Sequence, residues 1–170
     1  MADSGEAVSD AGPLIHLAEV GRFDLLQVFS RLYIPERIHD EVCIEGMPGD
    51  RELRAARYIE VLKVSSEELE VMRDRIEVKL DEGEIAALAL CKRLEKELFL
   101  TDDLAAREVG KQLDLEVHGS AGVIARAYRA GLIALQSAKQ SLERLYSGSN
   151  LFVTKAIIEE AISELEAYRG

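Results

Sequence analysis

The chain has 170 residues, 48% of them hydrophobic and none of them tryptophan, which suits one compact domain with a sizeable core and a helical extension. Its 21 basic and 32 acidic side chains leave a net charge of −11, which argues against wrapping a nucleic acid by bulk electrostatics but not against an enzyme that reaches phosphates through metal ions. No apolar run approaches the roughly 18 residues of a membrane span, and the acidic N-terminus lacks the basic and apolar regions of a signal peptide, so a cytoplasmic location is expected.

Along the chain, short β-type runs alternate with longer helical patterns, the signature of an α/β domain with a mainly parallel sheet. Strands are expected at 7–9, 32–34, 59–64, 98–101 and 115–117. Helical apolar spacing over 14–20 precedes Gly21, a plausible helix terminator, and Pro35 suits the first turn of a helix reaching Cys43. The run "EGMPGD" at 45–50 reads as a loop, and a helical pattern surrounds 53–59. Ser65 to Glu68 looks like a capping box, and 81–94 reads as a strong helix with one side almost wholly Ala and Leu. Ser120 is expected to cap a helix over 121–130 that ends at Gly131. From Ser137 the tail is helical, broken by "SGSN" and restarted by Thr154. Residues 1–133 are thus expected to form the main domain and 134–170 a helical extension packed on it.

Chemistry-bearing residues concentrate in carboxylates. Asp10 ends the first expected strand, Asp102 and Asp103 end the fourth, Glu84 opens the helix before the fourth, and Glu41 lies on the helix after the second. Carboxyl ends of parallel strands are where loops open and functional groups gather. Each acid also has a structural explanation: a turn at Asp10, a capping box for Glu84 with Asp81, an N-cap at Asp103 and a solvated face at Glu41. Together, four like charges brought to one edge are unfavourable without a cation, so if these segments converge a metal is the simplest reason. Oxygen-only ligands favour Mg²⁺ or Mn²⁺, which assist phosphoryl transfer without a Ser or Cys nucleophile. His16, His39 and His118 show no motif spacing, Cys43 and Cys91 form no CxxC, and no Gly-rich phosphate loop is present.

At these residues the sequence resembles the PIN-domain family of metal-dependent nucleases, in particular the compact prokaryotic subgroup related to toxin ribonucleases of toxin–antitoxin pairs. The resemblance is carried by "VSDAGPLIHLAEVGRFDLL", "LYIPERIHDEV", "LDEGEIAALALC" and the stretch 98–133 beginning "LFLTDDLAAREVG". It implies a PIN-like three-layer α/β sandwich with a mainly parallel central sheet and C-terminal helices. It further implies a Mg²⁺- or Mn²⁺-dependent endoribonuclease acting on single-stranded RNA, or alternatively a non-catalytic interaction protein that keeps the fold.

By motif, Asp10, Glu41, Glu84, Asp102 and Asp103 are the implied catalytic acids, with Asp10, Glu84, Asp102 and Asp103 as metal ligands. "TDD" leaves open which aspartate is the main ligand, while Asp81 and Glu82 read as cap and surface residues. Relatives often carry Ser or Thr after the first aspartate, where Ala11 and Gly12 stand here; Thr101 can supply a similar hydroxyl. Arg107 is a candidate phosphate contact. An antitoxin protein and a homodimer formed through helices are the implied protein partners.

Overall fold

The computed structural model describes residues 5–170. Strands β1 (Glu6–Ser9), β2 (Arg31–Pro35), β3 (Ile59–Leu62), β4 (Leu98–Leu100) and β5 (Glu116–His118) form one sheet in the order β3-β2-β1-β4-β5. Every strand pair is parallel, with Val8 opposite Tyr33 on one side and Phe99 on the other. Side chains alternate across a strand, so the apolar runs feed two cores at once. Ala7, Leu32, Ile34, Leu98 and Leu100 face one layer, whereas Val8 and Phe99 face the other.

The first layer holds α1 (Ala11–Glu19), a 3₁₀ segment (Phe23–Val28), α2 (Glu36–Val42), α3 (Asp50–Ala55), α7 (Ser120–Arg129), α8 (Leu135–Gly148) and α9 (Lys155–Ala167). Leu142 and Leu145 of α8 and Ile158 and Leu165 of α9 are buried in the same cluster as Leu14 and Leu17 of α1. The second layer holds α4 (Ser66–Asp74), α5 (Glu82–Leu94) and α6 (Leu104–Gln112). All of 84–91 on α5 is buried, which explains its run of small and aliphatic residues: an amphipathic stripe is unnecessary where a helix is covered nearly all round. The result is the expected three-layer α/β sandwich, with a wholly parallel sheet. Among the described residues no helix is long and apolar enough to cross a membrane.

Several local expectations change. Pro35 is the last residue of β2 and stands at the N-cap of α2 with extended ψ of 155°, so it ends the strand instead of entering the helix. Ser120 is the first residue of α7 and not its cap; Gly119 takes that position, and the Ser120 hydroxyl is used by Asp102. The "EGMPGD" loop gives way to α3 already at Asp50, where Gly49 adopts φ of 95°, and the helical pattern around 53–59 stops at Ala55 so that β3 can begin. The 3₁₀ segment has no counterpart among the expected elements; Phe23, Leu25 and Leu26 bury themselves on a spacing too irregular to read as an α-helix.

The topology fixes where a site can form. From β1 the chain moves outward to β2 and β3, then returns to the other side of β1 for β4 and β5. Connections diverge between β1 and β4, and the crevice beyond the carboxyl ends of those two strands is the switch point of the sheet.

Candidate active site

A cleft of about 470 Å³ occupies that switch point. Asp10, Glu41, Asp81, Glu84, Asp102 and Asp103 line it together with His16, and among the described residues neither Lys nor Arg does. All five acids expected from the sequence therefore meet in one place. Asp81, expected to serve only as a cap, does so through Oδ1, which accepts the Glu84 amide hydrogen bond at 2.8 Å, and also faces the cleft. Glu82 is a surface residue paired with Arg37 at 2.6 Å.

Asp10 arrives at the site because the β1–β4 ladder continues one residue past the strand, its amide donating to the Leu100 carbonyl at 2.8 Å. Its Oδ1 accepts from the Ala11 amide and its Oδ2 from the Thr101 hydroxyl, both at 2.8 Å. Thr101 thus supplies a hydroxyl at this first aspartate, although Ala11 and Gly12 follow it. Asp10 is only 7% exposed, and that burial, reinforced by the charges of Asp81 and Glu41, pushes its carboxyl up to about 6 despite the two hydrogen bonds.

Glu84 enters from α5. Its carboxylate completes the capping box by accepting from the Asp81 amide at 2.9 Å through Oε1, while Oε2 accepts no hydrogen bond from the described residues. Burial pushes its carboxyl up to about 8, against that bond, with the negative charges of Asp10, Asp81 and Asp103 adding to the effect. Glu41 stands on the accessible rim on α2, where partial desolvation by the cleft wall and the charge of Asp81 raise its carboxyl above the ordinary value. Gly83 lets α5 approach this rim: a Cβ there would lie 2.9 Å from Ile38 Cδ1 and 3.6 Å from Glu41 Oε2.

The adjacent aspartates differ. Asp102 is locked on every side: Oδ1 accepts from the Ser120 amide at 2.6 Å, and Oδ2 accepts from the Ser120 hydroxyl at 2.5 Å and from His16 Nδ1 at 2.7 Å. With a carboxylate as acceptor, Nδ1 carries the imidazole hydrogen. Gly119 makes this packing possible, since a Cβ there would sit 2.6 Å from Asp102 Oδ1. Asp103 caps α6 by accepting from the Ala106 amide at 2.8 Å through Oδ2, leaving Oδ1 without a hydrogen bond from the described residues. His16, without motif spacing, reads from sequence as an ordinary structural histidine; the cue for its place in the cleft is its position six residues after Asp10, on the second turn of a helix that starts at the site. His39 and His118 lie outside the cleft lining, against Asp40 and Glu116. Arg107 lies beside Gly119 and does not line the cleft.

Among the described residues, no group of three or more His, Cys, Asp or Glu side chains is close enough to form a ready-made metal centre. The donor set nevertheless fits a hard divalent cation, because it consists of carboxylate oxygens, several of which (Glu84 Oε2, Asp103 Oδ1, Asp81 Oδ2 and both oxygens of Glu41) no donor among the described residues engages.

Comparison with known proteins adds one finding. No curated protein and no solved structure matches the chain, whereas a family model described as a PIN domain matches residues 6–167. That match spans all five strands and all nine helices of the described residues. With the parallel sheet and its acidic switch-point cleft, it places the chain in a family whose members are generally nucleases: the protein belongs to the PIN-domain family.

Proposed function

We propose that this protein is a Mg²⁺- or Mn²⁺-dependent endoribonuclease that hydrolyses phosphodiester bonds of single-stranded RNA. The observation that supports this reading is the meeting of Asp10, Glu41, Glu84 and Asp103 in one cleft that, among the described residues, neither Lys nor Arg lines. Buried carboxylates with raised pKa values are unfavourable on their own and become favourable beside a cation.

In this reading Asp10, Glu84 and Asp103 would hold the ion. A divalent cation, when bound, neutralises charge on the phosphate and assists ionisation of the attacking water. Thr101 fixes the Asp10 carboxylate through its hydrogen bond, and the Asp81 amide fixes that of Glu84. Glu41, which lines the cleft at its accessible rim, takes a proton from the attacking water in this reading and passes it to solvent. Asp102, grouped with the ligands by motif, is assigned a positioning role because its oxygens already hold His16 and Ser120.

The same reading makes the protein the toxin of a toxin–antitoxin module, active in the cytoplasm and restrained by an antitoxin protein. A homodimer through helices accompanies it; Ile157 of α9 and Tyr146 of α8 remain about half exposed and suit such a contact. Sedimentation at micromolar concentration tests the dimer, and a monomer refutes it. The enzymatic claim is tested by incubating single-stranded RNA with the protein in Mn²⁺ and in chelator: cleavage in Mn²⁺ alone is expected. A second reading, a PIN-fold protein that binds without cutting, draws on the lack of a ready-made three-ligand centre among the described residues. Failure of Mn²⁺ to bind the intact cleft selects it.

A further inference from the structure

Phe152 is 97% exposed, and it lines the same cleft as the carboxylates. It lies in the segment between α8 and α9, and that segment is anchored on both sides. The Asn150 amide donates to Glu19 of α1 at 2.9 Å, and Thr154 caps α9 by accepting from the Ile157 amide at 3.2 Å. Leu151 and Val153 pack against the core, so Phe152 between them is turned outward. Leu104, 80% exposed at the start of α6, lines the cleft as well. A phenyl ring held fully in water beside a row of acids adds nothing to folding, because its apolar area stays hydrated.

We propose that Phe152 is the stacking platform for a nucleobase of the single-stranded RNA substrate, with Leu104 completing the apolar rim. The inference rests on the nuclease reading above and deepens it. The charge of the cleft favours contact with bases over contact with phosphates at this rim. Six carboxylates and, among the described residues, no Lys or Arg line it, so beyond the cation itself no Lys or Arg of the cleft draws in the phosphates, and contacts to the bases must supply the rest of the strand's affinity. Stacking on an aromatic face serves every base, which makes the rim tolerant of sequence while keeping the adjacent phosphate near the acids. Duplex RNA, whose bases are stacked on each other, has no free base face to offer.

The chain contains no tryptophan, so Phe152→Trp introduces a single indole at this position, which can be excited selectively over the five tyrosines. The full-length protein is titrated with a short single-stranded oligoribonucleotide, and with the same strand carrying abasic residues, in Ca²⁺ for binding and in Mn²⁺ for cleavage. Phe152→Ala is expected to weaken binding and raise KM by roughly 5- to 100-fold while leaving kcat within about twofold. Phe152→Trp should keep near wild-type affinity and show saturable quenching by the intact strand but not by the abasic one. Equal affinity of wild type and Phe152→Ala overturns the stacking role and leaves the nuclease reading intact. Absence of both RNA binding and cleavage in the wild type overturns both. Indole fluorescence of the Phe152→Trp variant that changes with protein concentration in the absence of RNA assigns the rim to a protein contact and overturns the proposal.

Discussion

Asp102 and Glu84 stand in the same cleft with opposite circumstances. Asp102 has three donors around its two oxygens, bridging β4 to α1 through His16 and to α7 through Ser120. Glu84 has one backbone donor, three acidic neighbours and a carboxyl raised to about 8. A satisfied carboxylate ties elements together; an unsatisfied one stores repulsion that a cation or a proton relieves. Asp10 lies between these cases, doubly hydrogen-bonded yet raised to about 6 by its burial. The contrast separates the scaffold of the site from the groups available for chemistry.

The sharpest way to break that contrast is to neutralise the two acids whose carboxyls are pushed up to about 6 and about 8. Asp10→Asn and Glu84→Gln are each expected to lower metal-dependent RNA cleavage at least ~100-fold, exceeding typical losses for residues that merely support a ligand. Both variants should fold, and without metal at pH 9 both should melt higher than wild type. Gel-resolved cleavage rates and thermal melts check the two halves; variants that cut at the wild-type rate contradict the assignment.

The converse change strikes the satisfied side. Asp102→Ala leaves His16 and Ser120 without their acceptor and should destabilise the fold by about 2–4 kcal/mol, read from denaturant midpoints. A stability within error of wild type refutes the anchoring role.

Acidity sharpens the comparison further. Asp10 and Glu84 have folded pKa values above their ordinary values near 4, so the folded state holds protons that the unfolded chain releases. Metal-free stability is therefore greatest below pH 4 as far as these two groups are concerned, falls as pH rises from about 4 to about 8, and levels off above that. The loss should be on the order of a few kcal/mol and should shrink in Asp10→Asn. Stability that rises across this window at fixed ionic strength, in both wild type and Asp10→Asn, contradicts it.

The smallest expected effect is at Thr101. Thr101→Val keeps shape and burial but removes the hydroxyl donated to Asp10, so the Asp10 pKa rises further and activity near neutrality falls about tenfold. The alkaline end of the pH–rate profile should recover most of the loss. A uniform loss at every pH points to altered packing instead.

Much of this arrangement is legible in the sequence because it is local. Short strands ending on aspartates, and the Asp81–Glu84 capping box, carry their signals within a few residues, and parallel order brings the strand ends to one edge. What cannot be read there depends on distant pairings. The Asp102–Ser120 and His16–Asp102 contacts join residues 18 and 86 positions apart, so nothing near Ser120 marks it as a partner instead of a cap. The division of labour between Asp102 and Asp103 follows from those same contacts, which is why "TDD" alone leaves it open. Phe152 is equally hidden: an apolar residue in an apolar run reads as core, and only the inward packing of Leu151 and Val153 turns it out.

The central claim is that Asp10, Glu84 and Asp103 of the switch-point cleft form a cation site, and titration calorimetry with Mn²⁺ near pH 8 tests it most directly. The account predicts binding to the wild type with release of protons, because Glu84 must ionise for the cation to bind, and loss of that binding in Asp10→Asn and in Glu84→Gln. No heat of binding in the wild type, or equal affinity in all three proteins, would contradict it.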